Sequence, residues 1–216
     1  MLLLLCVLVA LDSASLGQFM ISRPLVAATL SGWIVGDPEG GVMIGLVLEL
    51  LQLPFFQIGG TRVSEGGLGA VVGAAVLAEA SGPGGLAFGV LLGLVVANLG
   101  GFSVDGLHRR QAATVPQPAD GRLTPAALGR FHLGGLARDA LRGAVVGGVG
   151  LGVAVFLGET LAGGWLLDAP HTDLVLLAAA SFSVGAFFHN LGAARRSMGA
   201  LLVGALLGLA VTVAVG

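Results

Sequence analysis

The chain is a succession of apolar runs separated by short polar breaks. The runs cover residues 1–16, 25–35, 42–56, 68–80, 85–102, 143–162, 172–190 and 198–216. Hydrophobic residues make up 56% of the sequence and charged residues 10%, against about 25% charged in an ordinary soluble domain. A soluble protein of this size cannot hide so much apolar surface. Disorder needs the opposite composition, with low hydrophobicity and high charge. The pattern therefore demands a bilayer. At about 20 residues per span there is room for roughly six to eight apolar segments.

Several runs are too short to cross. Leu25–Val35 and Val42–Phe56 flank Gly36-Asp37-Pro38-Glu39-Gly40-Gly41, a turn by every local signal. Gln57 to Arg62 ends the second run, and Leu68–Ala80 is short again. Paired short segments broken by Gly and Pro point to re-entrant hairpins or broken helices. Such backbone survives at membrane depth only inside protein or beside a wet cavity. The expected fold is all-α, a polytopic membrane protein with re-entrant or broken helices. Three regions are expected: a membrane region at 1–104 that holds the candidate site, a cytoplasmic loop plus amphipathic helix at 105–142, and membrane helices at 143–216.

Charge sets the orientation. All ten basic residues are arginine, and six of them lie within 105–142. That bias puts the loop in the cytoplasm. Thr124 before Pro125 predicts a helix start, and the stretch through Arg142 reads as an amphipathic surface helix. The next apolar run then exits, which puts Asp168, His171 and Asp173 outside and Arg195-Arg196 inside. A net charge of −2 argues against a nucleic-acid partner. Leu2–Ala10 with Ser13-Ala14-Ser15 resembles a cleaved signal, but no basic residue precedes it, so a retained first helix is expected.

Glu49 carries the sharpest signal. It stands within an apolar run, where a carboxylate at helix centre costs about 2.5–3.5 kcal/mol. A polar cavity, a partner such as Arg23, or protonation must offset that cost. Ligand binding is the preferred reading, since a carboxylate can accept bonds from adjacent sugar hydroxyls. Gln18 and Gln57 sit at breaks beside apolar runs, and amides match polyols by donating and accepting. Asp37 is a further candidate ligand, with turn capping as its plainer role. Arg23 before Pro24 is read as a structural or pairing residue.

Other signals are weaker. Ser183 and His189 lie on different helix faces and make no hydrolase pair. His189-Asn190 reads as a polar interhelical contact. Gly148, Gly150 and Gly152 read as close helix packing rather than a phosphate loop. The single cysteine, Cys6, reads as core. No catalytic set, metal site or cofactor is expected.

The constellation resembles a known family. Arg23-Pro24-Leu25, Gly36-Asp37, Leu48-Glu49 and Gln57-Ile58-Gly59, in this order, resemble the IIC subunit of the mannose-type (mannose–fructose–sorbose) phosphotransferase sugar transporters. About 45 residues carry the likeness strongly. The resemblance implies a membrane subunit that binds and translocates a hexose-type sugar by elevator-like movement, without a phosphorylated residue of its own. It implies a IID membrane partner, cytosolic IIA and IIB components, an oligomeric assembly and a multi-pass place in the bacterial inner membrane. The family usually has asparagine where Gln57 stands. The alternative reading is a relative retained for regulation or assembly without transport.

Overall fold

The computed structural model describes residues 1–54, 64–80, 82–116 and 124–190, and every regular element among them is an α-helix. In chain order these are α1 (Leu2–Ala14), α2 (Pro24–Val35), α3 (Pro38–Gln52), α4 (Gly66–Glu79), α5 (Pro83–Ala113), α6 (Pro125–Gly163) and α7 (Ala169–Asn190). The all-helical expectation holds. Among the described residues, α5, α6 and α7 are long and apolar enough to cross a membrane. The last apolar run, 198–216, lies outside the described residues.

The helix ends follow from local chemistry. Pro24 and Pro38 stand in the first turns of α2 and α3, where a missing N–H costs nothing. Gly36 ends α2 in the left-handed conformation at φ 90°, which suits a residue without Cβ. Asp37 then caps α3 by accepting the amide of Gly40 at 2.9 Å. The turn expected over 36–41 is therefore only two residues deep. Pro38 to Gly41 already form the first turn of α3, because proline at that position preorganises a helix.

Two other expectations change. Residue 104 falls inside α5, which runs unbroken for 31 residues to Ala113. The amphipathic stretch is no separate surface helix. It is the N-terminal part of α6, a continuous 39-residue helix. Its start is as predicted, with the Thr124 hydroxyl accepting the Ala127 amide at 3.2 Å. Nothing in the sequence between Arg138 and Val145 breaks a helix, so the two segments fuse.

Glycine sets the helix spacing. A Cβ on Gly73 would come 2.7 Å from the carbonyl oxygen of Gly89, and one on Gly89 2.7 Å from that of Gly73. A Cβ on Gly69 would collide with the carbonyl oxygen of Gly93. Helices α4 and α5 thus pack backbone to backbone, as small-residue stripes allow in membranes. Within this layer Val71, Val72, Val76, Ile44 and Leu48 are fully buried. Gly147 meets Cys6 of α1, which accounts for that cysteine as core.

These contacts define two polar levels. The start of α4 lies against Pro24, Gln52 and Ser22, and its far end near Leu77 lies against Gly40. Gly66 and Leu77 are 11 residues apart on α4, so the levels are about 17 Å apart. A hydrocarbon layer is about 30 Å thick and extends past one of them. Exposed Leu91, Val95, Leu99 and Phe102 form an apolar stripe on α5. That stripe reaches the level where Gly100 meets Glu65.

The α4–α5 contact gives a prediction. Gly69→Leu should lower the melting temperature in detergent by several degrees or abolish folding, because overpacking costs about 1–3 kcal/mol. Gly106 has open space around its Cβ position. Gly106→Ala should therefore leave melting unchanged or raise it. Equal behaviour of the two variants would contradict the packing account.

Candidate functional site

The site grows from the end of α1. Asp12 is buried at 4% exposure, and its carboxylate accepts the amides of Phe19 and Ser22. These bonds fold residues 15–23 into a tight loop before α2. Gln18 and Met20 take positive φ, 52° and 68°, a conformation that costs energy for residues other than glycine. The loop ends at Arg23, which precedes Pro24 in extended conformation.

Arg23 meets Glu49 across the α2–α3 pair. Its Nε donates to Glu49 Oε1 at 2.8 Å, and its Nη2 donates to the same oxygen. Glu49 Oε2 accepts the backbone amide of Leu25 at 3.0 Å. One carboxylate thus pairs with arginine and satisfies a free amide at the start of α2, where negative charge is favoured. The Glu49 side chain is 19% exposed and that of Arg23 52%.

A second ionic cluster lies nearby. Both Nη atoms of Arg142 donate to the Glu65 carboxylate, and its Nε donates to Asp139 Oδ1 at 2.8 Å. Arg142 Nη1 also donates to the Ser103 hydroxyl at 3.1 Å. Ser13 donates to Glu65 at 2.8 Å, and Ser15 donates to Asp139. Side-chain exposures are 8% for Arg142, 5% for Glu65 and 0% for Asp139. The cluster joins α1, α5 and α6 to the start of α4.

Between the two clusters is a cavity of about 740 Å³, within the size range of small-molecule sites. Gln18, Arg23, Glu49, Gln52, Glu65 and His108 are among its walls, with Asp12, Ser13 and Ser64. Three of the expected residues, Glu49, Gln18 and Arg23, therefore come together. Asp37 does not join them, since it caps α3 at the opposite polar level. Gln57 lies outside the described residues, though α3 does end at Gln52, just before Pro54.

Sequence reasoning missed Asp12, Gln52, Glu65, Asp139 and Arg142. Asp12 had a readable signal, a carboxylate near the end of an apolar run. Asp139 and Arg142 had another, an acid and an arginine three residues apart on one helix. Glu65 had none, because it stands in a polar break. No group of histidine, cysteine and carboxylate side chains among the described residues is arranged to hold a metal ion.

Comparison with known proteins now identifies the chain. Residues 1–120 match the family model described as "PTS system sorbose-specific iic component". The chain belongs to this family. It is similar to the PTS system sorbose-specific EIIC component of Klebsiella pneumoniae, with 34% identity over 85 residues, 39% of this chain and 31% of that protein. It is 35% identical over 57 residues to the PTS system mannose-specific EIIC component of Escherichia coli (strain K12), covering 26% of this chain and 21% of that one. The sorbose-specific component of Lacticaseibacillus casei matches to the same extent. The chain thus covers less than a third of the length of these relatives. A solved structure described as "Structure of membrane protein" shares the fold, with TM-score 0.72 and 19% identity over 99% of this chain and 92% of that one. The cavity-lining residues Gln18 to Glu65 of this IIC chain fall within the matched region.

The Arg142 cluster is testable. Arg142→Met leaves two buried carboxylates without their cation, and breaking a buried pair costs about 3–5 kcal/mol. Folded yield in detergent should drop severely. Adding Glu65→Gln to that variant should recover part of the loss, since one stranded charge is removed. A single variant as stable as the wild type would show that the cluster does not hold the helices together.

Proposed function

We propose that this chain is the sugar-binding and translocating membrane subunit of a phosphoenolpyruvate-dependent phosphotransferase system. The observation that carries the reading is the cavity with Glu49, Arg23 and Gln18 in its walls, beside helices too short to span. Carboxylate acceptors, a guanidinium donor and amides match the paired donor and acceptor nature of sugar hydroxyls. The names of the relatives point to a hexose-type sugar. In this reading Glu49 bonds the sugar, with Gln18 and Gln57 beside it, and Arg23 holds the carboxylate in place.

The chain carries no phosphorylated residue in this reading. Phosphoryl transfer belongs to cytosolic IIA and IIB components, and a IID membrane subunit covers the short helices α2 and α3. The exposed Trp33 and Met43 on those helices are suited to burial against such a partner. The assembly is oligomeric, lies in the bacterial inner membrane and moves sugar by an elevator-like shift of the site-bearing helices. Asp37, at the far end of α2 and α3, meets the sugar in this scheme only when the site has moved.

Glu49→Gln tests the site. Charge-assisted hydrogen bonds are worth about 1.5–3 kcal/mol, so sugar affinity should fall roughly 10- to 150-fold while membrane insertion persists. Arg23→Gln should lower affinity less, because the carboxylate remains. Unchanged sugar binding in Glu49→Gln, with a loss of folded protein equal to that of Arg23→Gln, would reduce Glu49 to a helix fastener.

Orientation gives a separate test. The connection from α5 to α6, within 105–142, faces the cytoplasm and residues 163–171 face outward in this reading. The outward loop carries Asp168, which caps α7 through the His171 amide at 3.0 Å. That bond, with the His171 ring, holds the Asp168 carboxyl below the usual range. Single cysteines at 117 and 168, in a chain with Cys6 replaced by alanine, should react from opposite sides with an impermeant thiol reagent. Labelling of both from outside would overturn the topology.

A further inference from the structure

The cavity beside Glu49 contains a polar group that the fold leaves unmatched. Gln52 is the last residue of α3, three positions beyond Glu49 and on the same face. Its side chain lines the cavity. Its Nε2 is buried and, among the described residues, has no hydrogen-bond partner. Among the described residues its Oε1 has one long contact, accepting from the Ser64 hydroxyl at 3.5 Å. Exchanging the two ends of the amide would leave the oxygen in the unmatched place, so one polar atom stays unpaired in either orientation. Native folds rarely tolerate such a group without a purpose.

The backbone makes room for this amide. Gly66 opens α4, and a Cβ there would collide with Gln52 Oε1. Any larger residue at 66 would push the amide aside. The neighbouring walls are uneven in hydrogen-bonding character. The ionised carboxylates of Glu49 and Glu65 can only accept, and Arg23 can only donate. Both carboxylates already hold partners within the fold. Gln52 brings the unused polar atom to this wall.

We infer that Gln52 is a specificity-determining residue of the cavity, and that its amide hydrogen-bonds one particular hydroxyl of the bound sugar. The inference rests on the reading of this cavity as the sugar site. A hydroxyl can give its proton to a carboxylate and take one from the amide, so it completes both. A sugar with that hydroxyl absent leaves the amide unmatched again. Sites built this way discriminate strongly, because the wrong ligand strands a buried polar group.

The full chain is purified with any membrane subunit that accompanies it. Mannose, glucose, fructose and sorbose are titrated first, then the monodeoxy derivatives of the tightest binder. One monodeoxy sugar should bind the wild type about 10-fold more weakly than its parent. Gln52→Met keeps the length and removes the amide. It should bind the parent sugar about 10-fold more weakly, and it should not distinguish that monodeoxy sugar from the parent. Gly66→Ala should behave like Gln52→Met, and Gln52→Asn should show the same lost discrimination if the methionine variant does not fold. Unchanged discrimination in these variants overturns the inference and leaves Glu49 as the sugar ligand. A wild-type protein that binds none of the four hexoses overturns the sugar reading, and this inference with it.

Discussion

The Arg142 guanidinium is the point on which the helical arrangement depends. It holds Glu65 at the start of α4 and Asp139 one turn back on its own helix, and it reaches Ser103 on α5. Ser13 and Ser15, at the end of α1, donate their hydroxyls to Glu65 and Asp139. Three ionised groups buried this deeply are costly unless each is paired and hydrogen-bonded. The observed arrangement of α1, α4, α5 and α6 provides all of those partners. The apolar contacts around them are non-directional, so the ionic cluster selects the register that greasy surfaces alone would leave open.

Glycine and charge divide the labour along the bundle. Between the two polar levels, Gly69, Gly73, Gly89 and Gly93 let α4 and α5 approach through bare backbone. No hydrophobic force drives helices together in lipid, so close van der Waals contact must do so. At the Glu65 level the packing changes character. Side chains of Asp12, Glu49 and Glu65 join Gly66 and Gly67 there, around the cavity. The cavity lies where short helices end and where backbone amides, such as that of Leu25, still seek acceptors.

Much of the site was legible as residues and little of it as contacts. Glu49 was conspicuous because a carboxylate inside an apolar run needs a reason. Its actual partners, Arg23 and the Leu25 amide, lie 26 and 24 residues away along the chain. The sequence offered Arg23 as a possible partner but favoured ligand contact for Glu49. Gln18 was a candidate from the sequence, an amide at a break beside an apolar run, and the fold puts it in the cavity wall with Glu49 at a positive φ. Gln52 stands inside the apolar run 42–56 and drew no role from the sequence. Its unmatched amide becomes visible only with Gly66 placed against it.

The sequence by itself determined the solvent, the helical class and the helix ends. Apolar density demands lipid, lipid demands internally satisfied backbone, and Pro24, Gly36, Pro38 and Thr124 act through bonds only a few residues long. The fusion of the amphipathic stretch with the next apolar run into α6 was hidden, because composition changes near residue 142 while helix geometry does not. The tertiary structure alone decided which charges meet. Arg142 finds Glu65 across 77 residues, and Ser15 finds Asp139 across 124. Such partners share no local signal. A buried charge requires a counterpart, but many residues could supply it, and only the packed helices bring one of them within reach.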